Sequence, residues 1–332
     1  MPDLIPVGFL GLGTFVPQRV LTNHDLEQMV ETSDEWIVTR TGIRERHICA
    51  DDECTSDMAT AAARAAIADA GLTPDQIDLI ICGTYTPDHL TPSTACIVQA
   101  NLGVTRPIPA FDLSAACSGF VYALSVGVNF VQTGMYRHVL VVGADAMSKV
   151  LDYQDRNTCV LFGDGAGAVV LGRVEPGRGL IGHTIGADGR GAEQIIMHAG
   201  GSREPISLDA LNNRRQYMRM AGREVYKFAT SIVAPAIEDA LRNGGNGLCV
   251  QDLELIIPHQ ANMRIIEAAA KKLGLPIDRF VVNIDRYGNT SGATVPLAMG
   301  DARAAGRLQP GTLFALVAFG GGLTYGASIW RW

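Results

Sequence analysis

The chain has 332 residues, 47% of them hydrophobic and 18% charged, with a formal net charge of -7. That much apolar material fills a large core and excludes a disordered chain, while the negative balance, with no run of Lys/Arg to neutralise a row of phosphates, excludes a general nucleic-acid binder. The cysteines (Cys49, Cys54, Cys82, Cys96, Cys117, Cys159 and Cys249) are scattered without a CxxC pair, so neither a disulfide framework nor a zinc site is expected and a reducing, cytoplasmic setting fits.

The N-terminal run MPDLIPVGFLGLG lacks a basic flank and is broken by Pro and Gly, which suits a first buried strand and not a signal peptide or membrane span. Next, MATAAARAAIADAGL (Met58 to Leu72) predicts a helix stopped at Gly71, followed by the strand Ile77 to Ile81. In DLSAACSGFVYAL a strand-like run meets small residues and then an apolar helix, which puts Cys117 at a helix start. Unpaired N–H groups and the helix dipole at such a place favour a thiolate; a buried structural cysteine is the other outcome that this segment allows. HVLVVGA and FGDGAGAVVLG continue as short, β-branched buried strands.

A second helix is expected over SIVAPAIEDALRNGG (Ser231 to Gly245), then the strand Leu253 to Ile257, which delivers His259 in IIPHQANMRII. Asn289 follows in RYGNTSGA, at the mouth of another helix, before LFALVAFG and GGGLTYGASIW. A lone His or Asn is more often a satisfied structural residue than a catalytic one. The order helix, strand, helix start, strand, strand pair occurs twice, however, which predicts two similar α/β halves, 1–180 carrying Cys117 and 181–332 carrying His259 and Asn289. Loops after equivalent strands would then face one another across a pseudo-twofold axis.

The motifs AACSGF, PHQAN and YGNTSGA, with SDEWIVTRTGIRERHI (Ser33 to Ile48), FGDGAGA (Phe162 to Ala168), GREVYKFA (Gly222 to Ala229) and FGGGLTYGA (Phe319 to Ala327) in the same order, resemble the β-ketoacyl-acyl carrier protein synthase III family of thiolase-fold condensing enzymes across nearly the whole chain. The resemblance implies a duplicated thiolase-like α/β fold, layered αβαβα. It implies that Cys117 takes an acyl group from coenzyme A and that Cys117 and Gly321 N–H groups form the oxyanion hole. It further implies that His259 and Asn289 hold the malonyl thioester as carbon dioxide leaves. Thr32, Trp36, Arg40, Arg156, Phe228 and Asn262 are expected to bind coenzyme A, Arg264, Lys271 and Lys272 to dock an acidic carrier protein, and Thr91, in His89-Leu90-Thr91-Pro92, to bound the acyl pocket. A homodimer is implied, with no metal, cofactor, nucleic acid or membrane partner. A papain-like hydrolase shares the order Cys, His, Asn but wants a CGSCW-type segment that is missing here; a relative of secondary metabolism with another primer or acceptor stays open.

Overall fold

The run of small residues in the first predicted helix lets it lie close on a sheet, and in the structure, a computed structural model that describes residues 4–332, it does so. Nine strands of the described residues build the two large sheets. Strands β1 (Val7–Phe15), β2 (Leu79–Gly83), β3 (Ala110–Leu113), β4 (Val139–Asp145) and β5 (Gly165–Arg173) form the first, in the order β1-β5-β4-β2-β3. Strands β6 (Gly179–Ala187), β7 (Leu255–Pro258), β8 (Leu313–Gly320) and β9 (Thr324–Arg331) form the second, in the order β7-β8-β9-β6.

The two sheets share one plan. In each, an early strand runs antiparallel to a late one (β1 to β5, β6 to β9), which is antiparallel to its neighbour (β4, β8), which is parallel to the next (β2, β7). Where β3 pairs with β2 through Ile80 and Ala110, the second sheet keeps a single parallel bridge, Ile256 to Phe280. β2, β4, β7 and β8 are buried along their whole length, which is why they read as continuous apolar runs and not as alternating ones.

Helices fill three layers. α1 is Asp34–Thr41, α2 Thr55–Asp69, α3 Thr94–Leu102, α4 Gly119–Gln132, α5 Gly222–Gly244, α6 Met263–Leu273 and α7 Thr294–Ala304. α2 and α3 cover the outer face of the first sheet and α5 with α6 the outer face of the second, while α4 and α7 lie between the sheets. The central core joins Phe120, Leu124 and Val128 of α4, Val295 and Met299 of α7, and Val141, Leu316 and Trp330 of the strands. The result is the expected αβαβα order.

The predicted boundaries shift at two helices. α2 begins and ends three residues early, with Gly71 in the left-handed conformation (φ 68°) just beyond it. α5 begins at Gly222, nine residues before the predicted Ser231, and carries Pro235 in its interior before ending on Gly245 at φ 66°. The GREVYKFA segment is therefore helix; its amphipathic start buries only Ala229 and leaves Arg223, Glu224 and Lys227 exposed. Among the described residues no helix is long and apolar enough to cross a membrane.

Candidate active site

Cys117 follows β3 and lies in a single 3-10 turn, Ala116–Ser118, that feeds α4. The turn is sharp because Ala116 adopts φ 48°, a left-handed value costly for a side-chain-bearing residue. The second half repeats this junction: Ser291, at φ 52°, opens the 3-10 turn Ser291–Ala293 that feeds α7. Strained turns of this kind persist where the surroundings hold them, and both are held from the facing half. A Cβ on Gly320 would stand 2.6 Å from Cys117 N, so the end of β8 can press against the Cys117 turn only as glycine. On the other side, the Asp145 carboxylate accepts from Gly292 N–H at 3.0 Å.

His259 continues β7 by donating its backbone N–H to Val317 O (2.8 Å). Its ring meets the Phe319 ring edge-on at 5.1 Å between centroids, and its Nδ1 lies 2.6 Å from Thr294 Oγ1. It is 2% exposed, and burial pushes its pKa down to about 3, so the imidazole is neutral. Asn289 is pinned by its backbone to the loop before β5: its N–H donates to Leu161 O (2.9 Å) and its carbonyl accepts from Gly163 N–H (3.1 Å). Its side-chain Oδ1 accepts from Ser291 N–H at 2.9 Å, which leaves the Nδ2 amine, a donor, for the cavity.

Cys117, His259 and Asn289 line one cavity of about 730 Å³, with Gly320, Gly321 and Gly322 beside them. Among the described residues, no carboxylate lines it, and its charged side chains are Arg40 and Arg264. The Cys117 thiol is pushed up to about 12 by burial, against a smaller lowering from the Ser291 hydroxyl beside it. This is the reverse of the lowering expected from a helix start: desolvation of the charged form outweighs the dipole when the thiol is 7% exposed.

At the mouth, Trp36 of α1 carries the guanidinium of Arg40 at 4.9 Å and that of Arg156 at 5.3 Å from its ring centroid. Arg156 is held there by its bond to Glu31 O (2.7 Å). Asn262 lines the cavity and joins α1 to α6, donating to Arg40 O (3.0 Å) and capping α6 through Arg264 N–H (2.9 Å). Arg264, Lys271 and Lys272 are exposed on α6, Lys272 turning back to Ser231 O at 3.0 Å.

Three expected residues stand elsewhere. Phe228 points away from the cavity and packs against Tyr325 (6.4 Å, edge-on), because α5 turns Val225 and Tyr226 to the channel instead. Thr32 sits just before the α1 cap, off the cavity wall, its hydroxyl buried without a hydrogen-bond partner. Thr91 is exposed in the loop ahead of α3, next to Leu90, which is 89% exposed, and touches no part of this chain's cavity. An apolar wall of the cavity has no counterpart among the motifs: the ribbon Ile195–Ile196 with Arg219–Met220 brings Met197, Met218 and Met220 over the cavity. Three methionines flanking two short β-branched or basic runs were the available signal, since unbranched thioethers suit a wall that meets flexible chains.

Residues 111–189 match the family described as 3-oxoacyl-[acyl-carrier-protein] synthase III, and residues 245–332 match its C-terminal family. The β-ketoacyl-[acyl-carrier-protein] synthase III of Caldanaerobacter subterraneus subsp. tengcongensis is 51% identical over 332 residues, covering 100% of this chain and 99% of that one. The chain belongs to the β-ketoacyl-[acyl-carrier-protein] synthase III family. It is a condensing acyltransferase of the class that starts fatty acid chains. The crystal structure of the Thermus thermophilus synthase III, 46% identical, superposes with a TM-score of 0.91 over 98% of this chain and 99% of that one, which makes the fold a thiolase-type duplication. A priming β-ketosynthase from the R1128 polyketide pathway is similar too, at 36% identity and a TM-score of 0.89 over 100% of this chain and 97% of that one.

Proposed function

We propose that Cys117 accepts an acyl group from coenzyme A and passes it to a malonyl-acyl carrier protein that loses carbon dioxide. In the first half, Cys117 sulfur bonds to the acyl carbon, the bond to coenzyme A sulfur breaks, and the thiol proton leaves with coenzyme A. In the second, the carbon–carboxylate bond of the malonyl group breaks, its electrons form an enolate, and the enolate oxygen is held by Asn289 Nδ2 and the His259 ring. The enolate carbon then bonds to the acyl carbon, whose oxygen faces the Cys117 and Gly321 N–H groups, and the Cys117 thiolate is expelled and takes a proton from water to restore the thiol. The steps use these side chains, the two thioester substrates and one proton from water, so no cofactor is invoked.

The observation that carries this reading is the company of Cys117, His259 and Asn289 in one cavity that no carboxylate lines among the described residues. Decarboxylation makes a carbanion without a base, whereas pulling off an α-proton needs one. Arg40 and Arg264 at the mouth suit phosphates, and Trp36 offers a face for adenine. Phe228 leaves the proposal and Tyr226 takes its place along the pantetheine arm.

The test is to incubate the protein with radiolabelled acyl-coenzyme A, with and without malonyl-carrier protein, alongside Cys117→Ser. Label held by the wild type alone, then chased into a 3-ketoacyl product, is the expected result; release of free acid would make it a hydrolase. We also propose a division of the chain into 1–180 and 181–332, a boundary that falls just inside the start of β6. A cytoplasmic homodimer is also proposed; Thr91, outside its own cavity, could then bound only the pocket of a second copy. The likeness to a priming ketosynthase supports a second reading, a secondary pathway with another primer. Rates with acetyl-, butyryl- and octanoyl-coenzyme A separate the two.

A further inference from the structure

A neutral imidazole carries one proton, and the nitrogen that holds it decides whether His259 gives or takes a hydrogen bond in the cavity. Nδ1 is turned to Thr294 Oγ1 (2.6 Å), so Nε2 is the nitrogen left for a substrate. Thr294 has one hydroxyl proton and two acceptors in reach: Nδ1, and Ser291 O at 3.0 Å. If the proton goes to Ser291 O, Nδ1–H must donate to the hydroxyl and Nε2 shows the cavity a bare lone pair. If it goes to Nδ1, the ring proton sits on Nε2 and His259 becomes a donor.

We infer that Thr294 is a positioning residue that donates its hydroxyl proton to Nδ1 of His259 and thereby holds the ring as a hydrogen-bond donor toward the substrate. The contact to Nδ1 is the shorter of the two, and an imidazole nitrogen is a stronger acceptor than an amide carbonyl. Thr294 is itself fixed: it is the first residue of α7, buried, one turn from the Ser291 junction that also orients Asn289. One short segment, Asn289 to Thr294, thus presents both enolate donors, the Asn289 amine directly and the His259 N–H through Thr294. This rests on the reading of His259 as a donor to the malonyl thioester.

The experiment compares Thr294→Val, which keeps the shape and loses the hydroxyl, with Thr294→Ser, which keeps it. Three quantities are followed: label retained on Cys117 from acyl-coenzyme A, carbon dioxide released from malonyl-carrier protein, and the 15N spectrum of histidine-labelled wild type with the His259 signals located by Histidine-labelled His259→Gln. Carbon dioxide release by Thr294→Val is expected to fall about 10- to 100-fold, the size of the loss when a metal-bound imidazole loses the partner that orients it. Label retention should stay within about twofold and Thr294→Ser should recover most of the loss, since only the hydroxyl is at stake. The wild-type spectrum should show Nε2 protonated. Decarboxylation by Thr294→Val at the wild-type rate, or a wild-type ring protonated on Nδ1, would overturn the inference; the spectrum decides alone if Thr294→Val does not fold. A wild type that neither holds label nor releases carbon dioxide would instead sink the functional reading.

Discussion

Burial acts in opposite directions on the Cys117 thiol and the His259 ring. The Cys117 thiol is raised to about 12 and the His259 ring lowered to about 3, so both are neutral at pH 7. For Cys117 the consequence is kinetic: alkylation by iodoacetamide should keep accelerating above pH 9, where an ordinary thiol has levelled off, and a plateau near pH 8.5 would contradict it. For His259 the consequence is thermodynamic. The unfolded ring binds a proton below pH 6.5 and the folded ring only near 3, so its contribution to stability is present above 6.5 and is lost as pH falls through that window. The loss is about 1.4 kcal/mol per pH unit. Denaturant unfolding between pH 4 and pH 6 should show a slope in the wild type steeper than that of His259→Gln by about this amount. The identity of these residues was legible in AACSGF and PHQAN; their ionisation was not, because it depends on how much of the rest of the chain closes over them.

At the scale of elements, the repeated junction has different neighbours in the two halves. Ile80 and Ile256 hold equivalent places, Ile80 paired with β3 at Ala110 and Ile256 bridged to Phe280, and their partners Leu140 and Ala315 set the count along β4 and β8. By that count Asp145 matches Gly320. Gly320 leaves the Cys117 N–H uncrowded, whereas the Asp145 carboxylate accepts from Gly292 N–H and from Thr84 Oγ1, Tyr85 N–H, Thr86 N–H and Thr86 Oγ1. Burial pushes its pKa up while these donors hold it down. Asp145→Asn puts an amine where only donors converge, and the expected cost is about 3 kcal/mol. Chemical denaturation measures it. Loss of condensation should accompany it, because the Ser291 turn orients Asn289; an unchanged midpoint would mean that the carboxylate is replaceable. The duplication itself was readable from element order, but the pairing of Asp145 with the facing turn was not, since it joins residues 147 apart.

For the molecule as a whole, the net charge of -7 and the basic mouth work at different ranges. In the proposed reaction an acidic carrier protein meets a surface of like net charge, and the exposed cations of α6 are the proposed place where it is caught. Lys271→Glu with Lys272→Glu is therefore expected to raise the KM for malonyl-carrier protein about tenfold at low ionic strength, with the gap closing as salt screens it. The KM for acyl-coenzyme A should not move, as neither lysine lines the cavity. Equal effects on both substrates would place the docking surface elsewhere.

Element types, their repetition and the junctions that carry the candidate residues follow from local pattern: a continuous apolar run is a doubly covered strand, and a small-residue break before an apolar helix is a junction. Which side of α5 meets the channel, the methionine wall and the place of Thr91 were decided only by tertiary structure. A helix has several apolar positions but one phase, set by what it packs on, so Tyr226 and not Phe228 faces the cavity. A loop residue such as Thr91 has no phase at all, and its neighbours are chosen by the path of the chain through space.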